Sequence, residues 1–432
     1  LCRTEEAGHR HRSETYMGII RQNTMKLDYN VLCKIGAKYG DSFYLLNSQQ
    51  FRKNYLELQK AFRDIYPETH IAYSYKTNYI PSLCKIVKEL GGYAEVVSHM
   101  EWEIAKRVGV KADKVIFNGP FKYQDAVEEI LLSGGVVNID SVYEIPFITQ
   151  LADENPDKIL NVGLRCNFDI GDGVKSRFGI DVDSDDFDKV LHFFKNKKNV
   201  HLEVIHCHFA TRKLESWIQR VDGIFRLIDL RLKKVPMCFD LGGGMFGKMA
   251  DSLKSQFDSY IPTYKEYAEV VAGSFAEKFS GTEKPILFIE PGSALSGDVM
   301  QFAARVVSLK TTRGKKIATL HGSVYNINPT LNGKNPPIHV YHGGENKLQR
   351  CENLDFGGYT CIESDYLYRG YTGEIAVGDY VVFDNVGSYS IVLKPPFILP
   401  NFTIVNYNDE TGEILPVKDA ETFDDLFHTF KF

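Results

Sequence analysis

One alternation governs residues 55–291: a short β-branched or aromatic run, then a longer amphipathic stretch, repeated eight times. The runs cover 71–75, 94–98, 115–118, 136–140, 161–166, 202–206, 237–241 and 286–290. Between them lie stretches with apolar residues three and four apart, among them 80–90, 124–132 and 214–232. That spacing makes one apolar helix face, whereas short continuous apolar runs suit strands covered on both sides. Strands separated by helices pair in parallel, because a parallel crossover needs more chain than a tight turn supplies. Eight such units predict a closed (β/α)8 barrel, with an open doubly wound sheet as the alternative.

Beyond Met300 the helical spacing fades. Short alternating runs at 303–310, 316–320, 337–342, 379–384 and 388–393, punctuated by Gly, Pro and Asn, predict a β domain. The 432 residues accommodate two such domains. The expected organisation begins with a leader or tag-like tail at 1–16, polar and without the apolar core of a secretory signal. A segment at 17–47 follows, whose strand-like run 42–47 pairs with the β domain. The barrel takes 48–300 and the C-terminal β domain 301–432.

With 44% hydrophobic and 25% charged residues the chain can bury a large core, which excludes wholesale disorder. A net charge of −5 gives no general attraction to nucleic acid or to an anionic membrane. No uncharged apolar stretch is long enough for a membrane span. Eight cysteines without C-x-x-C or metal-finger spacing read as reduced thiols, and the expected location is cytoplasmic.

In a βα barrel, chemistry collects at the C-terminal strand ends. The first run here leads to Lys76, where burial would lower the amine pKa and favour Schiff-base chemistry; a solvated surface lysine is the alternative. The sixth leads to His206-Cys207-His208. Alternate strand residues share a face, so zinc is conceivable, but no third ligand is evident and no metal is expected. An imidazole packed on a planar ring is the preferred reading. The seventh leads to Gly242-Gly243-Gly244, whose N–H groups can approach a phosphate, or which forms a plain turn. Neither G-x-G-x-x-G nor a Walker lysine accompanies it, which disfavours a nicotinamide. The eighth leads to Glu290-Pro291-Gly292, a carboxylate able to hold a ring nitrogen protonated or to form a structural ion pair. Cys361 and Asp365 stand in a G-x-x-C-x-x-x-D segment, with a buried inert thiol as the alternative.

In this order, the lysine, HxH, GGG, EPG, GxxCxxxD and Gly-x-Tyr segments resemble the fold-type III pyridoxal-phosphate decarboxylases, the family of diaminopimelate, ornithine and arginine decarboxylases. The resemblance implies an alanine-racemase-like TIM barrel with a C-terminal β domain. It also implies pyridoxal 5'-phosphate as cofactor and a homodimer with shared active sites. Lys76 would carry the Schiff base, His208 would stack on the ring, and Glu290 would partner the ring nitrogen. Thr211, Gly242, Gly243, Gly244, Gly292 and Tyr389 would hold the phosphate, with Glu95 and Arg165 lining the cofactor site. Cys361 would be donated across the dimer and protonate the carbanion after carbon dioxide leaves, with Asp365 as the matching acid of its segment. A carboxylate at the ring nitrogen keeps the electron sink strong and so favours decarboxylation over racemisation.

The departures concern the substrate. Ser293 stands where the family has the Arg of Glu-Pro-Gly-Arg, and Asn328 stands where a second arginine precedes Pro329. Ile362 replaces the acid after the cysteine, and Glu363, one step later, would face the other way on a strand. These changes argue against meso-diaminopimelate, and Arg212 is a candidate to resupply positive charge. Diaminopimelate decarboxylase proper, a racemase on the same fold, a catalytically dead homologue and a zinc-dependent barrel hydrolase are the rival readings.

Overall fold

The computed structural model describes residues 27–432 except 233, 344–346 and 409–410. The expected tail at 1–16, and the first part of the 17–47 segment, lie outside the described residues. β1 (Phe43–Leu46) comes first, followed by β2 (Thr69–Ser74), β3 (Tyr93–Val96), β4 (Val115–Phe117), β5 (Val136–Ile139) and β6 (Leu160–Asn167). β7 (Ile180–Asp181) is a short strand laid against β6, and β8 (Val200–His206), β9 (Cys238–Asp240) and β10 (Ile286–Ile289) complete the first sheet. Parallel pairing runs β5-β4-β3-β2-β10-β9-β8-β6, and a β5–β6 pairing closes the ring. The sheet is therefore the expected closed eight-stranded barrel. Its strands are apolar and almost fully buried, because helices cover them outside and side chains fill them inside.

Local chemistry sets the helix ends. Thr263 and Glu266 form a reciprocal cap at the start of helix Tyr264–Lys278. Ser98 accepts from the Glu101 N–H to start helix His99–Val108, which stops at Gly109 in the left-handed conformation.

The second sheet contains β11 (Met300–Thr312), β12 (Lys315–Leu320), β13 (Ile338–Tyr341), β14 (Gln349–Gly357), β15 (Tyr366–Ile375), β16 (Tyr380–Phe383), β17 (Ile404–Tyr407) and β18 (Ile414–Lys418). Its order is β15-β14-β12-β11-β1-β17-β18, with β16 also on β11 and β13 on β16. β1 joins it, antiparallel to β11 and parallel to β17. Both faces of β1 are buried: Tyr44 and Leu46 pack into the core shared with the barrel, while Phe43 and Leu45 pack with Leu32, Ile35 and Tyr380. The shared core contains barrel residues such as Leu164 together with Phe302 and Phe383 of the second sheet.

Two expectations need correction. Residues 388–393 form bends and turns, not a strand, because Tyr389 takes φ +56° and its N–H bonds to Thr77 O at 3.0 Å in the barrel. Strands β14 and β15 escaped the pattern because their solvent faces are polar and bulges shift their register.

Candidate active site

The parallel strands deliver their C-terminal ends to one mouth. β2 runs into a 3-10 turn, Tyr75–Thr77, which carries Lys76. The Lys76 side chain is 30% exposed, and its Nζ is ion-paired with Glu95 of β3, which is fully buried. Burial alone would lower the Lys76 pKa, but Glu95 and Glu290 outweigh it and hold the ammonium above the ordinary lysine range. That reverses the direction expected from burial alone.

A hydrogen-bonded floor lies beneath. Asn118, just past β4, donates to Glu95 Oε1 at 3.0 Å and to Glu290 Oε1 at 2.5 Å, and accepts from Asn138 at 2.7 Å. His206 Nε2 stands 3.4 Å from Glu290 Oε1. Burial opposes charge on Glu290, yet His206 and Lys76 hold its carboxyl well below the usual range. Burial and the adjacent Glu290 push Asp240 well above it. Glu290 Oε2 is buried without a hydrogen-bond partner. His206, Asp240 and Glu290 bring one ligand atom each within 4.8 Å of one another. The expectation that His206 has no third group nearby is thereby corrected: barrel closure supplies Asp240 and Glu290, while the pattern had paired it with His208.

His208 lies above this floor. Its Nδ1 accepts the Gly243 N–H at 2.9 Å, and burial together with the Lys76 charge keeps its pKa well below 6.5. A neutral imidazole is therefore presented at the mouth. Arg165 bonds Asp140 at 3.2 Å and the His208 carbonyl at 3.4 Å, fixing that loop.

The glycines form a cradle. Gly242 and Gly244 take φ of +67° and +92°, conformations that favour residues without Cβ. A Cβ on Gly243 would lie 2.3 Å from the Glu290 carbonyl oxygen, and one on Gly292 would lie 2.0 Å from Thr77 Oγ1. Arg220, which the sequence reading passed over inside helix Leu214–Arg231, binds four carbonyls here. It donates to Leu241, Gly243, Phe209 and Thr211 at 2.6–3.2 Å, clamping the His208 loop to the glycines. The Thr211 hydroxyl donates to Asp172.

Tyr389 closes the mouth from the β domain. With Arg212, Ser293 and Asn328 it lines a cavity of about 290 Å³ between the two sheets. The structure thus gathers three of the five expected substrate residues. Cys361, Glu363 and Asp365 are not among the lining residues. They lie in the turn joining β14 to β15, so the strand-face argument about Glu363 does not apply. Asp365 is buried and accepts from Ser323 Oγ, the Val324 N–H and Thr360 Oγ1, which makes it the brace of that turn. Cys361 is exposed and free.

Pyridoxal phosphate fits these groups. The unpartnered Glu290 Oε2 suits a protonated ring nitrogen, the side-chain-free cradle suits a phosphate, and the Lys76 amine is within the same mouth.

Comparison with known proteins agrees. Residues 50–297 match the family model for the pyridoxal-dependent decarboxylase, pyridoxal binding domain. The chain is 24% identical to diaminopimelate decarboxylase of Methanocaldococcus jannaschii, over 91% of this chain and 92% of that protein. It is 25% identical to the L-glutamyl-[BtrI acyl-carrier protein] decarboxylase of Niallia circulans, over 94% and 97%. A crystal structure of the M. jannaschii enzyme superposes with a TM-score of 0.80 at 24% identity, covering 92% of this chain and 94% of that one. The arginine decarboxylase of Paramecium bursaria Chlorella virus gives 0.67 at 17% identity, covering 85% and 96%. No helix among the described residues is long and apolar enough to cross a membrane. The chain belongs to the pyridoxal-dependent decarboxylases and is a carboxy-lyase acting on an amino acid with pyridoxal 5'-phosphate as its cofactor.

Proposed function

We propose that Lys76 holds the cofactor covalently, that Cys361 of a second copy protonates the product carbon, and that the substrate is an amino acid other than meso-diaminopimelate. The observation that carries this reading is the position of Lys76 above buried Glu95 and Glu290 and beside the glycine cradle. Bound pyridoxal phosphate supplies a conjugated ring that takes up the electrons left on Cα as the carboxyl group departs. Glu290, held as an anion, keeps a proton on the ring nitrogen through Oε2. Glu95, ion-paired with Lys76, holds the amine at the mouth. Neutral His208 offers a flat ring face, and Arg165 and Arg220 hold its loop in place. Phosphate binding falls to Gly242, Gly243, Gly244 and Gly292, with Tyr389 reaching from the β domain.

The exposed Cys361 supports a shared site, because on its own chain the thiol does not line the cavity at Tyr389. Exposed Met100, Phe121, Tyr123 and Tyr143, in the segments that follow β3, β4 and β5, offer apolar surface for a second copy. Ser293 and Asn328 leave the cavity without the family's two arginines, and Asn328 spends its side chain on Thr330 and Asn332 of its own loop. The cytoplasm is the proposed location, on the free cysteines.

The test is borohydride reduction of the purified protein, followed by peptide mapping. A single modified lysine at position 76 is expected; no yellow species, or modification elsewhere, would sink the reading. Robust carbon dioxide release from meso-diaminopimelate would refute the substrate claim alone.

A further inference from the structure

The cavity between the barrel and the β domain has an uneven charge. Lys334 and Arg212 line it, no Asp or Glu does, and its third cation, Lys248, is ion-paired with Glu57. Arg212 stands with its guanidinium 5.5 Å from the centroid of the Phe246 ring. Phe246 meets Phe257 edge to face at 5.4 Å, and Lys334 Nζ lies 4.8 Å from the Phe257 ring. Two cations thus bracket a pair of rings across one cavity. Neither forms an ion pair among the described residues.

We infer that this cavity binds an anionic group, a carboxylate or a phosphate, carried by the amino-acid substrate away from its reacting carbon, with Arg212 and Lys334 as its recognition residues. The inference rests on the decarboxylase reading above and adds the substrate class. Cations left unpaired at a cavity wall are stabilised by an incoming anion, and the ring faces suit the methylene groups that would carry it. A second ammonium or guanidinium would meet like charge with no carboxylate on this wall to receive it.

The cofactor phosphate has the same chemistry, but it does not account for the cavity. None of the cradle glycines Gly242, Gly243, Gly244 and Gly292 lines it, and it runs from Ser293 and Tyr389 out to Lys334 and Pro336. The far wall is also built as a unit. The loop carrying Lys334 is docked on the barrel by a paired hydrogen bond, Gln256 to the Asn335 carbonyl at 2.8 Å and the Asn335 N–H to Gln256 at 2.9 Å. The arginines absent at 293 and 328 are therefore replaced in charge from two other elements.

The test uses holoenzyme and two panels. One holds glutamate, 2-aminoadipate and O-phosphoserine; the other holds lysine, ornithine and arginine. Carbon dioxide release gives kcat and KM, and cofactor titration followed by absorbance gives cofactor affinity. The acidic panel is expected to be preferred at least about ten-fold in kcat/KM. Arg212→Gln and Lys334→Met should each raise KM for the preferred substrate about 10- to 100-fold with kcat little changed. Arg212→Lys should recover part of the loss. Cofactor affinity should be unchanged in all three variants. Preference for the basic panel, or an unchanged KM in both charge-removing variants, overturns the inference. A loss of cofactor affinity in Arg212→Gln without a KM change assigns that cation to the cofactor phosphate and overturns it as well. Failure of the parent reading shows separately, as wild-type protein with no cofactor on Lys76, and takes this inference with it.

Discussion

The barrel floor and its junction with the β domain treat charge in opposite ways. At the floor, cations meet carboxylates. Lys122 and Glu144 are fully buried and meet at 3.0 Å, Arg165 meets Asp140, and Lys76 meets Glu95. At the junction, three cations stand without a carboxylate among the described residues. Lys394 Nζ is buried with no hydrogen bond, between the rings of Tyr44 and Phe402, and Arg212 and Lys334 face the cavity. A closed ring of strands can fix every donor and acceptor around one invariant cofactor. A junction between two sheets is free to vary, and an unpaired charge there marks either a ligand or a cost to stability.

The largest effect tests the floor. Lys76→Ala should lower decarboxylation on the order of 10⁴-fold or more and abolish borohydride labelling. Activity near wild type would break the distinction between a floor dedicated to the cofactor and a variable junction. Next comes the other side. Cys361→Ala should lose about 10²- to 10⁴-fold in turnover. Mixing it with Lys76→Ala should restore activity in hybrid dimers, since one of the two sites then has both residues; no recovery would place the thiol outside a shared site. Arg220→Met should weaken cofactor affinity by about 10- to 100-fold, because four cradle carbonyls lose a charged donor. Unchanged affinity would show that the glycines hold their conformation alone.

The smallest effect is on stability. Burial lowers the Lys394 pKa from 10.5 to about 7. Between those values the unfolded chain binds more protons than the folded one, so this lysine makes stability rise with pH across that window. Its penalty is fully present below about pH 7. Lys394→Met should remove that rise and lift Tm at neutral pH by on the order of a few degrees. An unchanged pH slope would mean that Lys394 is charged and paired in the folded state.

How much of this was legible depended on distance along the chain. Lys76, His208, Gly242–Gly244 and Glu290 could be read because each follows its own strand within a few residues, and strand ends in a barrel share one mouth. Asn118 and Asp240 were passed over because a lone polar residue at the end of an apolar run looks like a terminus. Their role appears only when neighbouring strands bring Glu95 and Glu290 beside them. Arg220 reads as one more polar position on an amphipathic helix, yet it is completely buried. The misplaced strand at 388–393 has the same origin: its alternation suited a sheet, but Tyr389 is pulled into a left-handed turn by the barrel carbonyl of Thr77.

The sequence by itself determined the barrel and the β domain, because periodicity is local and survives without knowledge of the fold, and its strand-end motifs carried the resemblance that implied the cofactor. Only the tertiary structure decided which charges meet. It placed Arg212 and Lys334 on one cavity and reversed the expected shift at Lys76. It also made Asp365 the brace of its turn. Those outcomes depend on ring closure and on the docking of one sheet against another, and electrostatic energy depends on separation in space, not on separation in sequence.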